Sequence, residues 1–231
     1  MRLPESVCQT MRIFVKYSKK GMLRFLGHLD TQRLFMRALR RSRLPLKYSE
    51  GFSPKPEISF AYPLSVGIET EGDYFEFSTA VDVDTEAISS VLHLNVPDGI
   101  GISAVGRVAD GTDKIMNLPK ASRYTICAGQ AFSDWMSGRF MPSGSYMIKR
   151  IKKGKKTLSD IRPFVRSVEI DGENCTILIE HTSGGSLSPM VLLGAAEEDL
   201  DQVFPEKAVT RTDIYTIIDG ALCPIEDIFI F

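Results

Sequence analysis

The run LRFLGHLDTQRLFMRALRRSRLPLKYSEGFSPKPEISFAYP, from Leu23 to Pro63, constrains the fold more than any other stretch of the chain. Five arginines fall between positions 33 and 43, ahead of a Gly-Phe-Ser-Pro-Lys-Pro loop and an apolar, strand-like segment. On an ideal helix at roughly 100° per residue, Arg33, Arg37, Arg40 and Arg41 gather within about one third of the circumference. Leu34, Phe35, Ala38, Leu39 and Ser42 take the other side. Such a helix has one face for a core and one for an anion. Asp30 is the expected N-cap, and Pro45 disfavours helical geometry at Leu44, so the helix is expected to end near Arg43. Pro54 and Pro56 remove two amide donors, which keeps the loop out of any central strand.

Residues 12–17 (RIFVKY) alternate as a first strand, closed by a Lys-Lys-Gly turn. Residues 46–48 and 57–62 read as strand pieces around the proline loop. Residues 73–79 read as a strand, 85–94 as a helix and 100–108 as a strand. The order β-α-β-β-α-β is that of a ferredoxin-like unit, here residues 11–108. Residues 109–120 form a polar linker. A second, more divergent unit occupies 121–218, with strands at 122–127, 146–151, 165–170, 176–181 and 213–218 and helices at 130–136 and 189–200. The expected fold class is therefore α+β, two ferredoxin-like (βαββαβ) units in tandem. The closing IEDIFIF, residues 225–231, is apolar enough to dock on the body or on a partner.

A hydrophobic content of 43% and a charged content of 25% are those of an ordinary globular protein. No apolar run approaches the roughly 20 residues of a membrane helix. The first ten residues lack the apolar centre of a signal peptide and read as a leader or an upstream start before Met11. No membrane partner and a cytoplasmic location are expected. Cys8, Cys127, Cys175 and Cys223 are widely spaced, which argues against a disulfide framework, a zinc site or an iron–sulfur cluster, so no metal and no cofactor are expected. The net charge of −1 conceals a pattern. Residues 1–60 hold 13 basic and 4 acidic side chains, 61–108 hold 1 and 8, 109–168 hold 12 and 4, and 169–231 hold 2 and 13. Alternating blocks of this kind can focus an anionic ligand while the whole chain stays near neutral.

Guanidinium forks match phosphate oxygens, so the arginine side reads as a nucleic-acid surface, or else as a solvated or protein-docking face. Arg43, Lys47 and Lys55 extend it. Phe52, in a Gly-Phe turn, is the candidate for stacking an unpaired base, whereas Phe60 and Tyr62 suit a core. Lys149, Arg150, Lys152, Lys153, Lys155 and Lys156 crowd around Gly154 as a flexible hairpin or a phosphate-tracking finger. His28 sits at the strand-to-helix junction, where it either hydrogen-bonds the turn or acts as a general acid or base. His93 and His181 have no ligand spacing around them. P-loop, G-x-G-x-x-G and G-x-S-x-G patterns are absent.

The segment from RFLGHLD through GFSPKPEISFAYP to DYFEF resembles the bacterial radical-SAM-associated family, whose domain is uncharacterised. That family shows a similar His-Leu-Asp, an arginine-rich helix and a Gly-Phe-x-Pro-x-Pro loop. KRIKKGKKTLSDIRPFV is similar to its basic segment, while Gly27 stands where serine is more usual. The resemblance implies a substrate-presenting or accessory role beside a B12-binding radical SAM enzyme, and the two basic blocks make RNA (tRNA or rRNA) the expected substrate. Without cluster cysteines, this chain is not expected to be the radical-generating part. Paired ferredoxin-like units with a histidine after the first strand are also similar to CRISPR repeat-processing endoribonucleases. That likeness implies, as an alternative, a metal-independent ribonuclease using His28. Docking of an acidic protein on the basic face is the third reading.

Overall fold

The computed structural model describes residues 10–140, 144–152, 155–182 and 185–231, without the side chains of 149–152 and 155–157. The side chains of the second basic block (Lys149, Arg150, Lys152, Lys153, Lys155 and Lys156) thus lie outside the described residues. The chain runs β1 (Met11–Lys19), α1 (His28–Ser42), β2 (Ile58–Phe60), β3 (Glu69–Thr79), α2 (Thr85–Asn95) and β4 (Ile100–Arg107). It continues with β5 (Ala121–Cys127), α3 (Gln130–Phe140), β6 (Met147–Lys152), β7 (Lys155–Asp160), β8 (Val165–Asp171), β9 (Asn174–Glu180), α4 (Pro189–Leu200), β10 (Ala208–Ile218) and β11 (Ala221–Pro224).

One nine-stranded sheet has the order β4-β1-β3-β10-β5-β9-β8, with β2 also on β3 and β11 also on β10, while β6 and β7 form a separate hairpin. Its pairs are antiparallel except β3 with β10, which run parallel and meet through Glu69–Thr210 and Thr70–Arg211. The fold is a mixed α+β arrangement of four helices and a large, mostly antiparallel sheet.

Alternation along the strands sorts side chains to two faces. Ile13, Val15 and Tyr17 of β1, with Phe75 and Phe77 of β3, pack on Phe35 and Leu39 of α1 and on Ile88 and Leu92 of α2. Each such buried side chain contributes roughly 1.5–3 kcal/mol. Tyr124, Ile126, Ile177 and Val209 pack on Phe132 and Met136 of α3 and on Leu192 and Leu193 of α4. Arg211 shares the inward register of Val209 and reaches Asp73, inward on β3 with Phe75. All four helices therefore lie on one face of the sheet.

The opposite face carries Phe14, Tyr74, Ala104 and Ile214, covered by Ile115, Ile225 and Phe229. Residues 109–120, read as a polar linker, thus bring a fully buried Ile115 onto the sheet. The closing segment docks on the body: Arg107 and Ile230 exchange two backbone hydrogen bonds of 2.8 Å. Lys16 Nζ ties it further, 2.8 Å from Asp213 and 2.6 Å from Glu226.

Helix α1 starts at His28 behind Gly27, with Thr31 N–H donating to the Gly27 carbonyl at 3.0 Å. Asp30 is therefore not the N-cap. It occupies the first turn, where the helix dipole favours a carboxylate and where it pairs with Arg33.

Candidate nucleic-acid interface

Burial of Thr31, Phe35, Ala38 and Leu39 orients α1 so that Arg33, Arg37, Arg40 and Arg41 point to solvent. Their surroundings then separate them. Arg33 lies 3.0 Å from Asp30, an exposed pair worth little. Arg41 donates to the Asn95 carbonyl at the end of α2, so it caps a neighbouring helix. Arg37, Arg40 and Arg43 are exposed and meet no carboxylate among the described residues. Arg43 ends the helix in the left-handed region, φ 57°.

Next comes an interrupted edge strand. Leu46 bridges to Thr79 and Lys47 N–H donates to the Ser78 carbonyl, after which β2 resumes pairing on the same neighbour with Ile58 opposite Phe77. Residues 48–57 stand out between these two stretches as an arch. A Tyr48–Pro56 bridge and a 2.8 Å bond from Ser49 N–H to the Lys55 carbonyl hold it. Phe52 projects from the arch fully exposed, and Lys55 is exposed beside it. Arg40, Arg43, Phe52 and Lys55 are thereby carried by the end of α1 and the arch that follows it.

Lys47 is not part of that group. Its neighbour Leu46 points into the core under α1, so Lys47 turns to the far face of the sheet. There it lies 3.6 Å from Glu57 and lines a groove of about 990 Å³ with Arg12, Glu76 and Lys114.

A second cavity, about 320 Å³, is lined by His28, Gln32, Ser59, Phe60, Tyr62 and Met116. Gln32 Nε2 donates to His28 Nε2 at 3.1 Å, which leaves the ring proton of a neutral His28 on Nδ1. Burial lowers the His28 pKa, and the Arg211 and Lys19 charges act in the same direction against Asp73. Beside the cavity, Tyr62 stacks on His181 at 3.9 Å between ring centres. His181 Nε2 is 2.9 Å from Ser122 Oγ and its Nδ1 is 2.8 Å from Ser186 Oγ. Burial holds its pKa down at about 4, with the Arg211 charge adding to the effect.

Residue types and spacing do not single out Arg211 or Asp73, give Tyr62 to a core and leave His181 without a role. The signal available for Arg211 was its place in the alternation of β10, an inward position shared with Val209 and filled by a cation. Cys127, Cys175 and Cys223 are free thiols, and among the described residues no group of His, Cys, Asp or Glu is arranged to hold a metal ion. No helix of the described residues is long and apolar enough to cross a membrane.

Fold and surface together define a mixed α+β protein with an exposed basic helix side. The chain belongs to the family described as an uncharacterized protein conserved in bacteria (DUF2344), which matches residues 12–189. No curated protein matches it.

Proposed function

We propose that this protein binds RNA, a tRNA or rRNA segment, along the exposed side of α1 and the arch, and presents it to a radical SAM modifying enzyme. One observation carries the reading. Arg37, Arg40 and Arg43 are free of carboxylates among the described residues and lead into an arch with Phe52 and Lys55 exposed. Unpaired guanidinium groups on one surface repel each other, and phosphate oxygens offset that repulsion. An aromatic ring beside cations adds a stacking platform for an unpaired base. The enzyme partner rests on the family resemblance alone. The free thiols support a reducing compartment, the cytoplasm.

In this reading the sheet is built from two ferredoxin-like units, 11–108 and 121–218, joined by 109–120. The orders β4-β1-β3-β2 and β10-β5-β9-β8 support it, because each sets the first strand of its unit between the third and the fourth. A metal-independent ribonuclease using His28 is the second reading, favoured by the position of His28 in a cavity. Its Nε2, held by Gln32, is poorly placed to take a proton.

Salt titration of binding to labelled tRNA and rRNA fragments tests the proposal. With roughly four phosphates neutralised on a single strand, log affinity against log salt has a slope near −3. Replacing Arg37, Arg40 and Arg43 by Gln reduces that slope by about 2. Binding that ignores both salt and these replacements rules the surface out. RNA cutting in EDTA that His28→Ala abolishes favours the ribonuclease.

A further inference from the structure

We propose that the cavity at the open edge of β2 receives a single nucleobase turned out of a single-stranded RNA, read by the Phe60 backbone and the Gln32 side chain. The proposal rests on the RNA-binding reading above and names the part of the surface that distinguishes one base from another.

The edge of β2 is the first reason. The Ala61 N–H donates to the Tyr74 carbonyl at 2.9 Å, which makes 61/74 a hydrogen-bonded pair. In an antiparallel ladder such pairs alternate, so 59/76 is the next one. Ile58 and Phe60 consequently turn their N–H and C=O groups away from β3, to the side where the cavity lies. Among the described residues, none of these groups has a hydrogen-bond partner. An extended residue sets its N–H beside its C=O, and single-stranded RNA offers matching donors and acceptors on the Watson–Crick edges of its bases. Gln32, with one amide hydrogen on His28, keeps its other hydrogen and its oxygen for a ligand.

Size and surroundings agree. A cavity of about 320 Å³ sits at the small end of the roughly 300–1,000 Å³ that small-molecule sites occupy. Ile58 and Ser59 also line the larger polar groove, where Lys114 is exposed and has no carboxylate partner among the described residues, leaving room for the attached sugar and phosphate.

A protein strand added to the same edge fits less well. β2 spans only Ile58–Phe60, with the arch at one end and Pro63 beyond the other. Strands of about 5–6 residues are typical, and this edge offers the hydrogen-bonding groups of two.

The test uses the full chain with short oligo(A), oligo(C) and oligo(U), with the four nucleoside monophosphates, and with a capped peptide of alternating Thr and Val. Amide exchange at Phe60, followed by NMR, is the readout that a purely structural role for Gln32 does not move. One homopolymer is expected to bind about tenfold more tightly than the others and to slow Phe60 exchange at least tenfold at saturation. Gln32→Leu and Met116→Trp, the second at an exposed position that tolerates the larger ring, are expected to erase the preference while leaving the salt slope intact. Salt-dependent RNA binding without Phe60 protection, or with a preference that survives both replacements, overturns the pocket and leaves the surface reading standing. If no RNA binds, the surface reading fails and the monophosphates decide the pocket: protection of Phe60 by one of them supports it, and protection by none overturns it. Protection by the peptide and by no nucleotide overturns it in favour of strand addition.

Discussion

Arg211 is fully buried, and its guanidinium is engaged on every side. Nε donates to Asp73 Oδ1 at 2.6 Å, Nη1 to the Pro63 carbonyl at 3.2 Å and Nη2 to the Tyr62 carbonyl at 3.0 Å. Asp73 also accepts from Thr70 Oγ1 at 2.9 Å and from Tyr17 OH at 3.3 Å. Removing one partner of such a pair strands the other charge, so Arg211→Met is expected to cost roughly 3–5 kcal/mol in a urea titration. Adding Asp73→Leu is expected to recover part of that loss, because the stranded carboxylate goes with it. His181 sets a pH dependence. Its folded pKa of about 4 lies below the ordinary value of about 6.5, so the unfolded chain binds the extra proton first. The contribution is complete above about pH 6.5 and is lost as pH falls towards 4. His28, also depressed, acts in the same sense. The melting temperature is thus expected to fall between pH 6.5 and 4, and His181→Gln to flatten that fall. His181 has no metal-ligand spacing around it in the sequence, because its partners are two serines and a tyrosine ring.

Among the elements, the strands were the most legible, since alternation in RIFVKY and DYFEFST is a direct imprint of a two-sided sheet. The start of α1 was not. A glycine cap that works through its carbonyl leaves no side-chain signature, and Asp30 offered a more familiar one. The prolines of the arch correctly excluded a central strand. They gave no hint that residues 46–47 and 58–60 are two pieces of one edge strand, which is visible only through their shared partner β3. The seam between β3 and β10 was equally silent. At Gly72 a Cβ would come within 2.4 Å of the Thr212 carbonyl oxygen and 3.0 Å of the Asp213 Cα. Backbone cannot yield there as a side chain does, so Gly72→Ala is expected to cost about 1–3 kcal/mol, read as a lower urea midpoint.

For the molecule as a whole, the alternating charge blocks find their meaning in cross-pairing. Acidic residues of 61–108 and 169–231 meet the cations around β1: Glu76 with Arg12, Asp213 and Glu226 with Lys16, Glu71 with Lys20 and Glu69 with Arg24. The arginines in the middle of α1 and at its end lie beyond that reach. The blocks are plain in the sequence, but only tertiary structure tells which cations are neutralised. The closing segment is part of the same scheme. A Cβ on Gly106 would lie 2.6 Å from the Phe229 Cβ, so Gly106→Val is expected to lift the C-terminal residues from the sheet. Faster limited proteolysis after Pro224 would register it.

Because pairing to β3 resumes on both sides of residues 48–57, this excursion is uncoupled from the register of everything around it. A change inside it leaves every other strand with its neighbours. The same freedom makes the exposed Ser53, next to Phe52, a place to attach a dye, whose brightness would then follow RNA arriving at the helix without disturbing the scaffold that carries it.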